Sequence, residues 1–204
     1  MLGDLASWAQ DVIERLGAVG VALLVILENV FPPIPSEIVL PFAGFVAQRG
    51  DGSVLMMIAA ATLGAVVGAL VLYGIAGVIG PIRLAAFIAR FGRWFGVKPA
   101  DLERAEQWFD RHAAAAVLLG RCVPLIRSIV SIPAGFRRMK LTPFVLYTAL
   151  GSLVWNTALI GAGAILGDQW ERVEPYIATL QWVVIAAIAI MVVWFAIGKL
   201  RRRA

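Results

Sequence analysis

Between Asp51 and Arg83 the chain runs for 31 residues without a formal charge. Two more such gaps follow, 27 residues between Lys140 and Asp168 and 24 between Glu174 and Lys199. A helix needs about 20 apolar residues to cross the hydrocarbon core of a bilayer, so each gap is long enough to span with some tilt. A water-soluble core of this size cannot hide three such segments. Composition agrees: 61% of the 204 residues are hydrophobic and 15% are charged, where soluble domains average roughly 45–50% and 25%. Disorder is excluded by the same excess of apolar groups. A single cysteine and a single histidine are too few for a disulfide framework or a histidine-based metal centre. The net charge of +5, on a chain this apolar, points to a membrane surface rather than to nucleic acid. The fold class expected is an all-α membrane protein, without cofactor or metal and without a nucleic-acid partner.

The other apolar stretches are short, and prolines punctuate them. Twelve uncharged residues separate Arg15 from Glu28, eight separate Glu28 from Glu37, and nine separate Arg111 from Arg121. Twelve residues of helix rise about 18 Å, which reaches the middle of a bilayer without crossing it. Pro32, Pro33, Pro35 and Pro41 interrupt the first of these regions, and Pro124 and Pro133 the second. Proline removes a backbone donor and clashes with the preceding turn. Broken backbone at membrane depth is tolerated only where protein or a wet cavity covers it. Both regions therefore read as re-entrant hairpins, over about residues 17–47 and 113–136, shaped by Pro32, Pro33, Pro35, Pro124 and Pro133 together with Gly44 and Gly135.

Basic residues supply an orientation. Arg83, Arg90, Arg93, Lys98, Arg104 and Arg111 fill the segment after the first gap. Arg137, Arg138 and Lys140 precede the second gap, and Lys199, Arg201, Arg202 and Arg203 follow the third. The turn between the second and third gaps is acidic, with Asp168, Glu171 and Glu174 against Arg172. The positive-inside rule places the basic segments and the C-terminus in the cytoplasm and the acidic turn outside. Two consecutive cytoplasmic segments flank residues 113–136, which must then cross an even number of times, as a hairpin does.

One membrane domain, 1–204, built on a repeated plan is the result. The first repeat, 1–80, holds an amphipathic helix, the hairpin at about 17–47 and a transmembrane helix at about 54–80. A basic interfacial helix occupies 81–97. The second repeat, 98–167, holds the hairpin at about 113–136 and a transmembrane helix at about 142–167. The two spanning helices run in opposite directions, so the repeat is inverted, and a last transmembrane helix covers 175–198. Pro41-Phe42-Ala43-Gly44-Phe45 echoes Pro133-Ala134-Gly135-Phe136. Inverted repeats whose broken helices meet near the midplane are a feature of secondary transporters.

Four charges fall inside the hairpins: Glu28 and Glu37 in the first, Arg121 and Arg127 in the second. An unpaired charge at mid-membrane costs about 2.5–3.5 kcal/mol on insertion scales, so partners or water are required. Two structural ion pairs pinning the hairpins would meet that need. Intramembrane ionisable residues more often mark function. Arginine keeps its charge and presents a fork matched to phosphate oxygens. Glutamate is neutralised by a proton, and desolvation favours the neutral form. Arg121 and Arg127 are thus candidate ligands for an anionic lipid-phosphate headgroup. Glu28 and Glu37 are candidates for proton coupling or ion pairing.

These residues carry a resemblance to a known family. Glu28-Asn29-Val30-Phe31-Pro32-Pro33-Ile34-Pro35-Ser36-Glu37 is followed by Pro41-Phe42-Ala43-Gly44, and Gly120-Arg121-Cys122-Val123-Pro124-Leu125-Ile126-Arg127-Ser128 by Pro133-Ala134-Gly135. Over nearly its whole length the chain resembles the DedA family, whose shared region is also called the SNARE-associated or VTT domain. The resemblance implies a multi-pass lipid transporter of the bacterial inner membrane with two re-entrant hairpins. It also implies undecaprenyl phosphate or a related phospholipid as cargo, and essential acidic and basic positions at Glu28, Glu37, Arg121 and Arg127. Cys122, where an aromatic is commoner, and Ser36, where glycine is often found, depart from the family pattern without removing a charge.

Other features have plainer readings. Cys122 reads as a small packing residue and His112 as an interfacial or capping one. Gly64 and Gly68 form a G-x-x-x-G suited to close helix contact, within the fold in preference to between protomers. Asn156 is expected to hydrogen-bond towards the hairpins, and Trp170, Trp182 and Trp194 to sit in interfacial belts or packing. No phosphate-binding glycine loop, metal-ligand cluster or Ser-His-Asp set is present, so enzymatic chemistry is not expected. A proton-coupled antiporter for small ions and a scaffold without transport are the alternatives to a lipid-phosphate transporter.

Overall fold

The computed structural model describes residues 2–30, 36–91, 99–124 and 126–166, and every element among them is helical. Helix α1 (Leu2–Val30) is followed by α2 (Ser36–Val46), which ends in a π-helical turn, Ala47–Asp51. Helix α3 (Val54–Phe91) precedes α4 (Pro99–Gly120), then the short α5 (Ile126–Ile129) and α6 (Ser131–Phe136), and finally α7 (Leu141–Leu166). Pro32, Pro33 and Pro35, the C-terminal part of the 81–97 segment, the helix expected at 175–198 and Trp170, Trp182 and Trp194 lie outside the described residues.

Three of these helices are pairs joined at a break. In α1 the break is Gly17, with φ 55° and ψ −131°, and in α3 it is Gly80, with φ 72°. A Cβ at either glycine would meet nothing within 4 Å, so it is the positive φ, not space, that favours glycine there. His112, exposed, breaks α4 with φ −127° and ψ 20°.

Two segments among the described residues are long and apolar enough to cross a membrane, Val54–Gly80 of α3 and Leu141–Leu166 of α7. Their outer faces are apolar and exposed, with Leu63, Val67 and Val71 on α3 and Leu146, Leu150 and Val154 on α7. Helix α1 shows the same stripe at helical spacing, Leu16, Val19, Leu23, Leu27 and Val30. Such surfaces suit lipid tails and not water.

Helices α3 and α7 pack against each other, and four of the other helices divide between them. Helices α1 and α6 lie on α3, while α2 and α4 lie on α7. Small residues make each contact close. A Cβ on Gly64 would lie 2.5 Å from the Ala22 carbonyl oxygen, and one on Gly68 2.7 Å from Asn29 Cβ. The G-x-x-x-G is thus used inside the fold, as its sequence suggests. On α7, a Cβ at Gly151 would meet the Leu118 carbonyl of α4 at 2.5 Å. Gly44 of α2 rests on the Ile160 carbonyl of α7, and Gly163 of α7 on the Pro41 carbonyl of α2. Gly135 of α6 rests on the Tyr73 carbonyl of α3.

Pro41 corrects the sequence expectation. It lies inside α2 and does not interrupt it. A proline in a helix interior costs about 3 kcal/mol, but every residue from Val39 to Ala47 is buried. Burial at roughly 1.5–3 kcal/mol per large apolar side chain exceeds that penalty. Pro133 occupies the third position of α6, within the first turn, where a missing N–H leaves no intrahelical bond unmade.

Candidate functional site

The charged residues meet where the last turn of α1 approaches the α4–α5 turn. Glu28 and Asn29 end α1, and their side chains turn inward while Val30 faces out. After Gly120 the chain leaves α4 through Arg121–Pro124, held by backbone bonds from Cys122 N–H to the Leu119 carbonyl (3.0 Å) and from Val123 N–H to the Gly120 carbonyl (3.2 Å). Pro124 has no N–H to extend the helix. Its carbonyl accepts from Ile126 N–H at 2.8 Å, which starts α5, and Arg127 follows as the second residue of that short helix.

Arg127 Nη2 forms an ion pair and hydrogen bond with Glu28 Oε1, and each side chain is only 7% exposed. Removing one member of such a buried pair strands a charge, at about 3–5 kcal/mol. The pair is therefore a tight constraint between α1 and α5, although its net contribution to stability is small because desolvation offsets attraction.

Arg121 is more deeply placed, at 2% exposure. Its Nη1 donates to the backbone carbonyl of Arg127 and, at 3.4 Å, to Asn29 Oδ1. Nη2 donates to Ser131 Oγ at 2.7 Å and to Thr148 Oγ1 at 3.5 Å. The guanidinium carbon lies 6.0 Å from the centroid of the Phe144 ring, within cation–π range. Four elements thus converge on one guanidinium: α1, α5, α6 and α7. Asn29 is fixed in turn by its Nδ2 donating to the Val25 carbonyl at 2.9 Å. Arg121 holds the backbone of Arg127, and Arg127 holds Glu28.

The four hairpin charges are thus not all brought together. Glu28, Arg121 and Arg127 form one buried cluster. Glu37 stands apart, half-buried in the first turn of α2, where a carboxylate complements the positive end of the helix dipole. Gly44, Gly135 and Pro133 shape the approach of α2 and α6 to the spanning helices, as described above, and Pro124 shapes the turn that carries the arginines.

Other expectations resolve differently. Cys122 Sγ lies 3.8 Å from the Leu118 carbonyl and 3.7 Å from the Gly151 carbonyl, a small group in the α4–α7 contact. Asn156 does not bond towards the charged cluster. Its Nδ2 donates to Thr62 Oγ1 of α3 at 3.2 Å, because the α7 face carrying it is turned to α3 at that level. Asn29, Ser131, Thr148 and Phe144 belong to the cluster but were not singled out as site residues from sequence. One signal was available: polar residues in an otherwise apolar span, at helical spacing.

The VTT domain family matches residues 34–165. The chain is 36% identical over 193 residues to undecaprenyl phosphate transporter A of Staphylococcus aureus, covering 95% of each chain. It is 29% identical over 199 residues to undecaprenyl phosphate transporter A of Bacillus subtilis, covering 97% of this chain and 96% of that one. It is also 40% identical over 191 residues to an alkaline phosphatase-like protein of Lactococcus lactis subsp. cremoris, covering 93% and 88%. No solved structure matches it.

Proposed function

The chain belongs to the VTT domain (DedA) family of membrane proteins, and from that premise we propose that it is a transporter of a lipid phosphate, with undecaprenyl phosphate as the leading cargo. The observation that carries this reading is the buried Glu28–Arg127 pair joining α1 to the α4–α5 turn. A guanidinium whose partner is a carboxylate can exchange it for a phosphate group, because both accept charge-assisted hydrogen bonds from the same fork. Protonation of Glu28 releases Arg127 to the headgroup, and loss of that proton reclaims it. In this scheme Arg127 binds the phosphate and Arg121 fixes the Arg127 backbone. Glu28 couples the exchange to protons, and Glu37 is a secondary acidic site at the α2 N-terminus.

The proposal includes an architecture. The stretches 17–47 and 113–136 act as re-entrant hairpins of two inverted repeats, with the basic segments in the cytoplasm. The exchange of partners between the halves supports it: α1 and α6 share α3, and α2 and α4 share α7. In each repeat the first leg packs on its own spanning helix and the second on the other's. One relative is named alkaline phosphatase-like; in the scheme proposed for this chain the phosphate is carried, not cleaved.

Mass spectrometry of the protein purified with its native lipids tests the reading. A phosphate-bearing lipid retained by the wild type and depleted in Arg127→Ala is expected. Equal retention of the same lipids by both proteins contradicts it.

A further inference from the structure

The buried face of α7 carries Thr148, Ser152 and Asn156 at four-residue intervals, each exposed by no more than 4%. Side chains four apart on a helix are neighbours on one face. This row lies in a span whose outer face is apolar, and it starts at the charged cluster, where Thr148 Oγ1 accepts from Arg121. Eight residues on, about 12 Å along the helix axis, it reaches Asn156 and Thr62 of α3.

Both ends of the row have unused hydrogen-bonding capacity. Asn156 is fully buried, yet its Oδ1 has no hydrogen-bond partner among the described residues. Rotating the amide does not remove the problem. The oxygen would then face Thr62 and the amide nitrogen would be left over. At the other end the Nε of Arg121 is also without a partner among the described residues, and beside Asn156 so is the indole Nε1 of Trp155. An acceptor at one end, a donor at the other and a hydroxyl between them form a matched set. Buried polar groups left over in this way are ordinarily satisfied by bound water, which needs two to four polar partners. A dry interface would use half of the Asn156 amide and strand the rest in hydrocarbon-like surroundings.

We infer that the α3–α7 interface is a water-binding site, a polar seam of Thr148, Ser152, Asn156 and Thr62 whose bound water reaches the Arg121 guanidinium. One turn beyond Asn156 the row ends at Ile160, which is apolar and fully buried. The seam is therefore a pocket of water beside the cluster and not a pore. It completes the solvation of Arg121 inside the membrane and keeps that guanidinium charged while it holds the Arg127 carbonyl. The existence of the seam rests on the packing alone, and its role in transport rests on the lipid-phosphate reading above.

X-ray radiolytic hydroxyl labelling of the full chain in nanodiscs tests it, because radicals formed from bound water oxidise the side chains beside it. Trp155 of the wild type is expected to be oxidised several-fold faster than Trp155 in Asn156→Leu, a comparison of one indole with itself that intrinsic reactivity does not affect. Absence of Trp155 labelling in the wild type overturns the seam, and so does undiminished labelling in a folded Asn156→Leu. The wild-type measurement stands without any variant. Labelling in a chain that moves no lipid phosphate would leave the seam intact and the transport reading refuted, whereas transport without labelling would do the reverse.

Discussion

The two proline-bearing regions solve the same problem with different backbones. In the first, the acid Glu28 sits near the end of the helical stretch that follows the Gly17 break of α1, and α2 is eleven helical residues with Pro41 inside it. In the second, the backbone is cut into a turn, a four-residue helix and a six-residue helix, and both arginines lie in the cut part. Glu28 is therefore positioned by helix packing, through Gly64 and Gly68 of α3. Arg127 is positioned by side-chain bonds, above all by Arg121 on its carbonyl. One side of the ion pair is held by shape and the other by polar contacts. Substitutions should separate the two.

The largest effect is expected from Arg127→Ala, which leaves Glu28 buried without its cation and should lower unfolding stability by about 3–5 kcal/mol. Exchanging the charges, with Glu28→Arg and Arg127→Glu together, should recover much of that stability in a detergent unfolding titration while transport stays lost. Recovery of both would make the pair purely structural. Next is Arg121→Lys. An ammonium cannot reach Asn29, Ser131, Thr148 and the Arg127 carbonyl at once, so a loss of ~1.5–3 kcal/mol is expected, the worth of a hydrogen bond to a charged group. An unchanged melting temperature would show that the second region does not depend on Arg121.

The shape-held side is probed by Gly68→Ala. The new methyl would fall 2.7 Å from Asn29 Cβ and push α1 outward, costing about 1–3 kcal/mol as overpacking. Its loss should be nearly additive with that of a distant substitution and non-additive with Arg121→Lys, since Asn29 joins them. The smallest effect is expected at Arg137, whose Nε donates to Asp110 at 2.9 Å in a pair exposed by 35% and 42%. Arg137→Ala should cost no more than about 1 kcal/mol, and a larger loss would mean that the α4–α6 contact depends on that pair.

The helical class and the two spans were legible because a charge-free run longer than about 20 residues has few other uses. The candidate charges were legible for the converse reason, since each stands out against apolar neighbours. Their pairing was not. Glu28 and Arg127 lie 99 positions apart, and no periodicity within either segment states which acid faces which base. That Glu37 lies outside the cluster follows from α2 packing on α7, a tertiary fact. Pro41 was misread because local propensity was weighed without the burial that outweighs it. The partner of Asn156 was misjudged for a related reason: a polar side chain bonds to whichever helix its face meets. Its spacing from Ser152 and Thr148 was visible, and would have pointed to one buried face.

The central claim is that Arg127 trades Glu28 for a lipid phosphate, and headgroup accessibility in reconstituted liposomes tests it most directly. Undecaprenyl phosphate placed in one leaflet should become accessible from the other with wild-type protein. In folded Arg127→Ala the rate should fall by about one to two orders of magnitude, as for a lost charge-assisted hydrogen bond of ~1.5–3 kcal/mol. Equal rates for the two proteins would contradict the account.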